Sequence, residues 1–435
     1  MTKAKIGAVC LARGTFDFEA AQALYLERKA QIEKDGSVEW FFYTGLVFEP
    51  EQARQAADYF EKAGIDAVMA VSGTFHLGHL ALIIEQRLHK PMLLWAFNEL
   101  PYNGGKIRLN SVCGVNLDAS NLYKAGNDTY VCHIGDEPDE DWIRAVKMKA
   151  ALHGAHVGLA GYRAHGFFNL GTADADIFGK TGVLLDHYEL AELMRGDEPG
   201  AGYDAGAVDE IFDCVAITPE QLEKVAALTR SMENFLVKNR LDALAIRCWP
   251  EFADTFGISP CAAMSLLAAK GYTLGCEGDV EGTLSMLACN AVAEEPAFLA
   301  DLSQVNLEED FALMWHCGVA ACALWDKQSA RTLDPYFAGG RGVTADFVMK
   351  SGPVTLMRID SARGKTRLFV QRGTAMSMNK ELKGTYCKVR FEKSAAQVLD
   401  TVTLGGVAHH VAMIYGDYAE TMRKFARITG FEIIE

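Results

Sequence analysis

The sequence predicts an α/β protein: two doubly wound parallel-sheet domains followed by a C-terminal antiparallel, β-barrel-like domain. Two observations carry this. Over roughly the first 150 residues, short apolar runs alternate with amphipathic stretches of helical spacing, and the alternation restarts at Ala155. After Gly339-Gly340-Arg341-Gly342 the pattern changes to consecutive strand-like segments separated by turn signals. The expected domains are 1–153, 154–345 and 346–435.

In chain order, strands are expected at 6–11, 38–43, 67–71, 91–95 and 129–133. Helices at 18–32, 50–63 and 79–88 lie between them, their apolar residues recurring at helical spacing. Such β-α alternation builds a parallel sheet covered on both faces. The second domain continues with strands at 155–160, 183–186, 243–247, 272–276 and 311–316. Its clearest helix opens at Thr218-Pro219-Glu220, where Thr218 can cap and Pro219 suits the first helical position. Asp204-Ala205-Gly206 reads as a surface loop before it. In the last domain, 354–359, 366–371 and 385–391 read as strands. Ser361-Ala362-Arg363-Gly364 supplies the hairpin turn between the first two, and a helix over 418–428 closes the domain.

Composition narrows the class. Of 435 residues, 50% are hydrophobic and 23% charged, which suits a soluble globular chain. A net charge of −15, with no basic patch, argues against nucleic acid as a partner. No run of about 18 apolar residues is present to span a membrane. The opening Met1 to Ala12 runs directly into Arg13-Gly14 and reads as a first strand and turn rather than a secretion signal. The eleven cysteines are scattered through apolar runs without a CxxC pair, which suits a reducing cytoplasm.

The candidate chemistry lies in the second half. Trp249-Pro250-Glu251 and Gly275-Cys276-Glu277-Gly278-Asp279 each place an acid where a buried strand ends. Ligand sites of open α/β sheets gather at those ends. Far downstream, Gly405-Gly406-Val407-Ala408-His409-His410 adds two imidazoles. Two carboxylates and an imidazole suit a hard or borderline divalent metal with positions open for substrate. Residues two apart on an extended chain share a face, so either Glu277 or Asp279 can be the second acid. Adjacent histidines point apart in an extended chain, so at most one of His409 and His410 is expected as a ligand, with the other available for substrate or for supporting the ligands from behind. His316, ending a strand-like run, and His76 and His79, after the third strand, are further candidates for substrate contact. Taken singly, each of these residues has an ordinary structural reading: a solvated strand-end acid, a satisfied core histidine, a local cap. Nucleotide and hydrolase signatures (GxGxxG, Walker loop, GxSxG, HExxH) are absent.

In order, these motifs resemble the L-fucose isomerase and L-arabinose isomerase superfamily, over essentially the whole chain. The resemblance rests on Trp-Pro-Glu, Glu277-Gly278-Asp279, the stretch from Phe298 to Trp315-His316-Cys317-Gly318, Gly352-Pro353-Val354-Thr355 and the terminal Gly-Gly-x-Ala-His-His. Phe178-Gly179 with Asp186 adds to it. It implies Mn²⁺ held by Glu251, the Glu277/Asp279 acid and His410, with the same acids in catalysis and Trp249, His76, His316 and His409 around the sugar. It also implies a homo-oligomer, a hexamer or trimer, with sites between subunits, converting an aldose to a ketose. A further metal histidine of the arabinose branch has no counterpart in 301–306, which favours the fucose-like branch. A sugar-binding or sensor module without catalysis, or an epimerase using the same enediolate, is the alternative reading.

Overall fold

The computed structural model describes residues 3–194 and 203–435. Two compact units emerge, Met1–Ala151 with Glu420–Phe431, and Leu152–Ala419 with Glu432–Glu435.

The first unit holds a five-stranded, wholly parallel sheet of β1 (Ala4–Leu11), β2 (Val38–Val47), β3 (Ala67–Ser72), β4 (Met92–Ala96) and β5 (Tyr130–Ile134). Their spatial order is β2-β1-β3-β4-β5. Helix packing sets its chemistry: a side chain at Gly7 of β1 would strike the Phe60 ring at 2.7 Å. Helix Pro50–Ala63 starts on proline and stops at Gly64 in the left-handed region, the asymmetry expected of helix ends. Helix Ala419–Thr429, expected to close the last domain, belongs almost entirely to this first unit. Its Lys424 binds Asp139 at 2.7 Å, its Thr421 hydroxyl donates to Asp141 at 2.6 Å, and its Met422 and Phe425 are buried.

The second unit begins with a four-stranded parallel sheet of β6 (His156–Ala160), β7 (Leu184–Tyr188), β9 (Ala243–Ile246) and β10 (Thr273–Cys276). Its order is β10-β9-β6-β7; β8 (Cys214–Val215) pairs elsewhere. The strands that follow are β11 (Phe298–Asn306), β12 (Phe311–His316), β13 (Thr332–Asp334), β14 (Thr344–Val348), β15 (Gly352–Ala362), β16 (Lys365–Met376), β17 (Thr385–Phe391), β18 (His410–Tyr415) and β19 (Glu432–Ile434). Six of them form a barrel in the order β16-β15-β18-β11-β12-β17, closed by β17 pairing back on β16, with every neighbour antiparallel. Closure leaves these strands no free edge.

The fold class is thus as the sequence predicts, and single elements depart from it. The strand at 311–316 is real, but it pairs antiparallel in the barrel instead of extending the parallel sheet. Asp204-Ala205-Gly206 is a helix start rather than a loop: Asp204 caps Ala205–Ile211 by accepting from the Ala207 N–H at 2.8 Å. The Thr218 cap forms, reinforced by Gln221 reaching back to the Thr218 N–H. The 361–364 hairpin turns on Arg363 and Gly364, both at positive φ. Among the described residues, no helix is long and apolar enough to cross a membrane.

Candidate active site

The ends of β9 and β10 and the barrel strands β11, β12 and β18 supply the site, all within the second unit. At the end of β10 the backbone turns sharply through Glu277 (φ 62°) and Gly278 (φ 71°). Only glycine fits at 278, because a Cβ there would lie 2.2 Å from the Tyr162 carbonyl oxygen. The Glu277 carbonyl accepts from the Ala164 N–H at 2.9 Å, and its side chain accepts from the Trp249 indole N–H at 2.9 Å. Two residues on, Asp279 caps helix Val280–Asn290 by accepting from the Gly282 N–H at 2.9 Å.

Asp279 and Glu277 therefore face different tasks. Asp279 is fully buried, and Arg358 of β15 grips it with two hydrogen bonds of 2.7 and 3.1 Å. Its burial favours the neutral acid, but the Arg358 charge and the His410 hydrogen bond outweigh that and hold it well below the usual carboxylate range. His410 Nδ1 lies 2.9 Å from the same carboxylate. Because an arginine-bound Asp279 is ionised, the proton of that bond is on Nδ1.

His410 Nε2 then points into a cluster. It lies 3.1 Å from Glu277 Oε2 and 3.3 Å from Asp301 Oδ1, yet makes no aligned hydrogen bond. Asp301 arrives by register: it is the cross-strand partner of His410 on one side and of Trp315 on the other. Burial also disfavours the Glu277 charge, but His409, His410 and His316 around it keep the carboxyl below its ordinary range.

His316, at the end of β12, is buried with its ring 5.6 Å from that of His410. Its Nδ1 accepts the Cys317 N–H at 2.8 Å, and Nε2 has no partner among the described residues. Burial opposes a charge on this ring and the Cys317 sulfur favours one, a balance near 10. A proton on Nδ1 would, however, collide with the donated Cys317 N–H, so geometry leaves the ring proton on Nε2. His410 thus turns Nε2, the nitrogen not held by Asp279, toward the cluster, and His316 an N–H. His409 is half-exposed: its Nδ1 meets Asn169 Nδ2 at 3.1 Å, and Phe167 packs edge-on at 5.2 Å against it and at 6.0 Å against Trp249.

Among the described residues three sets of side chains have ligand atoms mutually close enough to hold one metal ion, and two of them are built on His410: Glu277 with His409 and His410, and Asp301 with His316 and His410. Glu251 is in none of the three. Its carboxylate is bound by Arg247 at 2.6 and 3.2 Å, two residues beyond Trp249. His76 lies in the first unit, fully buried, with Nε2 2.8 Å from Asp118 and Nδ1 3.0 Å from the Thr74 carbonyl. His79 is the first residue of helix His79–Leu88.

Sequence reasoning missed Asp301 and Arg358. For Arg358 a signal existed, a lone charge inside the apolar strand Val354-Thr355-Leu356-Met357-Arg358-Ile359. For Asp301 none did, because its role comes only from the strand lying beside it.

Residues 314–435 match the family description "L-fucose isomerase, C-terminal domain", and residues 7–141 match "Fucose/sulfoquinovose isomerase, N-terminal domain". The chain is 27% identical over 438 residues to a sulfoquinovose isomerase of Priestia aryabhattai, covering 98% of this chain and 97% of that protein. It is 26% identical to one of Alkalicoccus urumqiensis (85% and 86% covered) and 27% to one of Clostridium sp. strain MSTE9 (82% and 83%). With both terminal domains matched and sulfoquinovose isomerases aligned over nearly the whole chain, the chain belongs to the fucose isomerase-like superfamily and is an aldose–ketose isomerase.

Proposed function

We propose that the protein interconverts a sulfonated aldose of the sulfoquinovose type, or a close unphosphorylated derivative, with its ketose by proton transfer through a cis-enediol. The carrying observation is His410: its Nδ1–H is fixed by the Asp279–Arg358 pair and its buried Nε2 is left over between Glu277 and Asp301. Those donors fit a divalent cation of the Mn²⁺ kind, hard to borderline with oxygen and imidazole ligands. Glu277 and His410 would hold it, with Asp301 adjacent and Asp279 orienting His410. When bound, such an ion polarises the sugar carbonyl and stabilises charge on the neighbouring oxygens.

The remaining work falls to this chain's own groups. Burial works against a charge on His410, while the carboxylates of Asp279 and Glu277 raise its affinity for a second proton, so a proton and a cation would compete for Nε2. Glu251, paired with Arg247, is the base that moves the proton between the two sugar carbons. His316 donates its Nε2–H to a sugar oxygen. Trp249 fixes Glu277, and with Phe167 and His409 it forms a wall against which the ring packs. For the sulfonate, Arg163 lies beside the Glu277–Gly278 turn, its guanidinium stacked over Tyr162 and Phe168. The wider likeness to the family supports a homo-oligomeric enzyme, hexamer or trimer, and the free cysteines support a cytoplasmic setting.

The test is turnover of sulfoquinovose and a panel of neutral aldoses by metal-loaded enzyme in D₂O. Deuterium should enter the product at the carbon receiving the proton, and Glu251→Gln should lower turnover ~10²–10⁴-fold. Product free of solvent deuterium would favour a hydride shift, and an epimer as sole product would make this an epimerase. Binding of a sugar without turnover would return the protein to the sensor reading.

A further inference from the structure

On the Nδ1 side of His316 lies a second cluster of a different kind. Cys248 Sγ is 3.0 Å from Cys276 Sγ, and Cys261 Sγ is 3.3 Å from Cys317 Sγ. The Cys276 and Cys317 sulfurs lie within 4.8 Å of each other and bring the two pairs together. All four are buried, and they converge from separate places: beyond β9, the start of helix Cys261–Ala269, the last residue of β10 and the residue after β12. Nothing in the isomerisation needs a thiol.

A single buried cysteine is an ordinary small hydrophobe. Four sulfurs linked in a row, Cys248–Cys276–Cys317–Cys261, offer a donor set, and soft thiolates select closed-shell cations that tolerate a tetrahedron. Cys276 Sγ, Cys317 Sγ and His316 Nδ1 already lie close enough together to hold one ion. Since His316 Nδ1 is taken by the Cys317 N–H, Cys248 and Cys261 are the better third and fourth corners. The sulfurs are too far apart for a disulfide, which needs about 2.05 Å. A zinc–sulfur distance of ~2.3 Å places tetrahedral sulfurs about 3.8 Å apart, so the two close pairs have to open by less than about 1 Å while Cys248 and Cys261 swing in toward the opposite pair.

We propose that Cys248, Cys261, Cys276 and Cys317 form a second metal site, for a thiophilic cation of the Zn²⁺ or Cd²⁺ class, separate from the oxygen-rich cluster around His410. The ligating thiols release their protons to solvent on binding. The bound ion ties together the segments that carry Trp249, Glu277 and His316, so its place is structural: it clamps the floor of the active site. This does not depend on which sugar is turned over.

The test is a Cd²⁺ titration of the whole protein, kept reduced and oxygen-free after mild chelation has removed hard cations. One Cd²⁺ per chain should bind, with thiolate-to-cadmium charge-transfer absorption in the ultraviolet and a rise in melting temperature. The band should vanish in Cys261→Ala/Cys317→Ala. It should persist in Glu277→Gln, which damages only the oxygen-rich cluster, and in Cys113→Ala/Cys132→Ala, which removes two exposed thiols. No band in folded wild-type protein would overturn the proposal, with or without the variants folding. So would a band that survives the Cys261/Cys317 double change, or a Cys248–Cys276 disulfide found by peptide mapping of protein never exposed to oxygen.

Discussion

His76 and His410 are both fully buried, and each is bonded to a buried aspartate. They differ in what is left over. Both nitrogens of His76 are spent, one on the Thr74 carbonyl and the other on Asp118. Burial pushes the Asp118 carboxyl up, while Asp118 outweighs burial to raise His76, so the pair behaves as two groups sharing one proton. His410 spends one nitrogen, because Asp279 already carries the Arg358 charge and holds the imidazole from one side only. A buried His–Asp pair is therefore no signature of a site. An imidazole nitrogen with no partner, aimed at two carboxylates, is.

The sharpest way to break this comparison is to remove each histidine. His410→Ala should abolish cation retention and lower turnover at least as far as loss of a catalytic base, ~10²–10⁴-fold, with circular dichroism unchanged. His76→Leu should act on stability, since it strands Asp118 without its partner at a cost of ~3–5 kcal/mol. Turnover per folded molecule should stay near wild type. A collapse of turnover in fully folded His76→Leu would give His76 the substrate role the sequence suggested.

The two aspartates sharpen it further. Arg358→Met leaves Asp279 buried and uncompensated, a loss of ~3–5 kcal/mol measurable as a lower denaturant midpoint. Asp279→Asn keeps the shape and changes what orients His410, so cation affinity should fall ~10–100-fold, read by calorimetry. An affinity lost altogether would make Asp279 a direct ligand, with Glu277 as its neighbour.

Much of this was legible in the sequence, for physical reasons. Apolar alternation reports burial, so the parallel strands and the Thr218 cap were visible. Acids after apolar runs mark strand ends, which brought out Glu251, Glu277 and Asp279. What stayed hidden depends on pairing between distant strands. Asp301 gains its role only because β11 lies beside β18 in a register that opposes it to His410. The strand at 311–316 carries no local mark that separates a barrel strand from a parallel one. The scattered cysteines read as unrelated because 248, 261, 276 and 317 meet only after both the sheet and the barrel have formed. Helix 419–429 has a strong amphipathic pattern, but the pattern does not say which unit its apolar face covers.

The smallest effect concerns a carboxylate that, unlike Glu277, serves only its own loop. Glu99, in the first unit, accepts from the backbone N–H groups of Leu100, Arg108, Leu109 and Asn110 at 2.7 to 3.1 Å, closing the loop between β4 and helix Ser111–Lys124. Partial burial raises its carboxyl, but the four donors outweigh that and bring it below its ordinary 4.5. A carboxyl depressed on folding stabilises the protein above its unfolded pKa, and that contribution is lost as pH falls through the folded value. Wild type should therefore exceed Glu99→Gln in denaturant midpoint near neutrality, and the gap should close as pH falls below about 4.5, because the protonated acid and the amide accept these bonds alike. Paired unfolding curves across that range decide it. A gap that stays constant with pH would mean the glutamine fails by shape, leaving the loop's hold on β4 independent of the Glu99 charge.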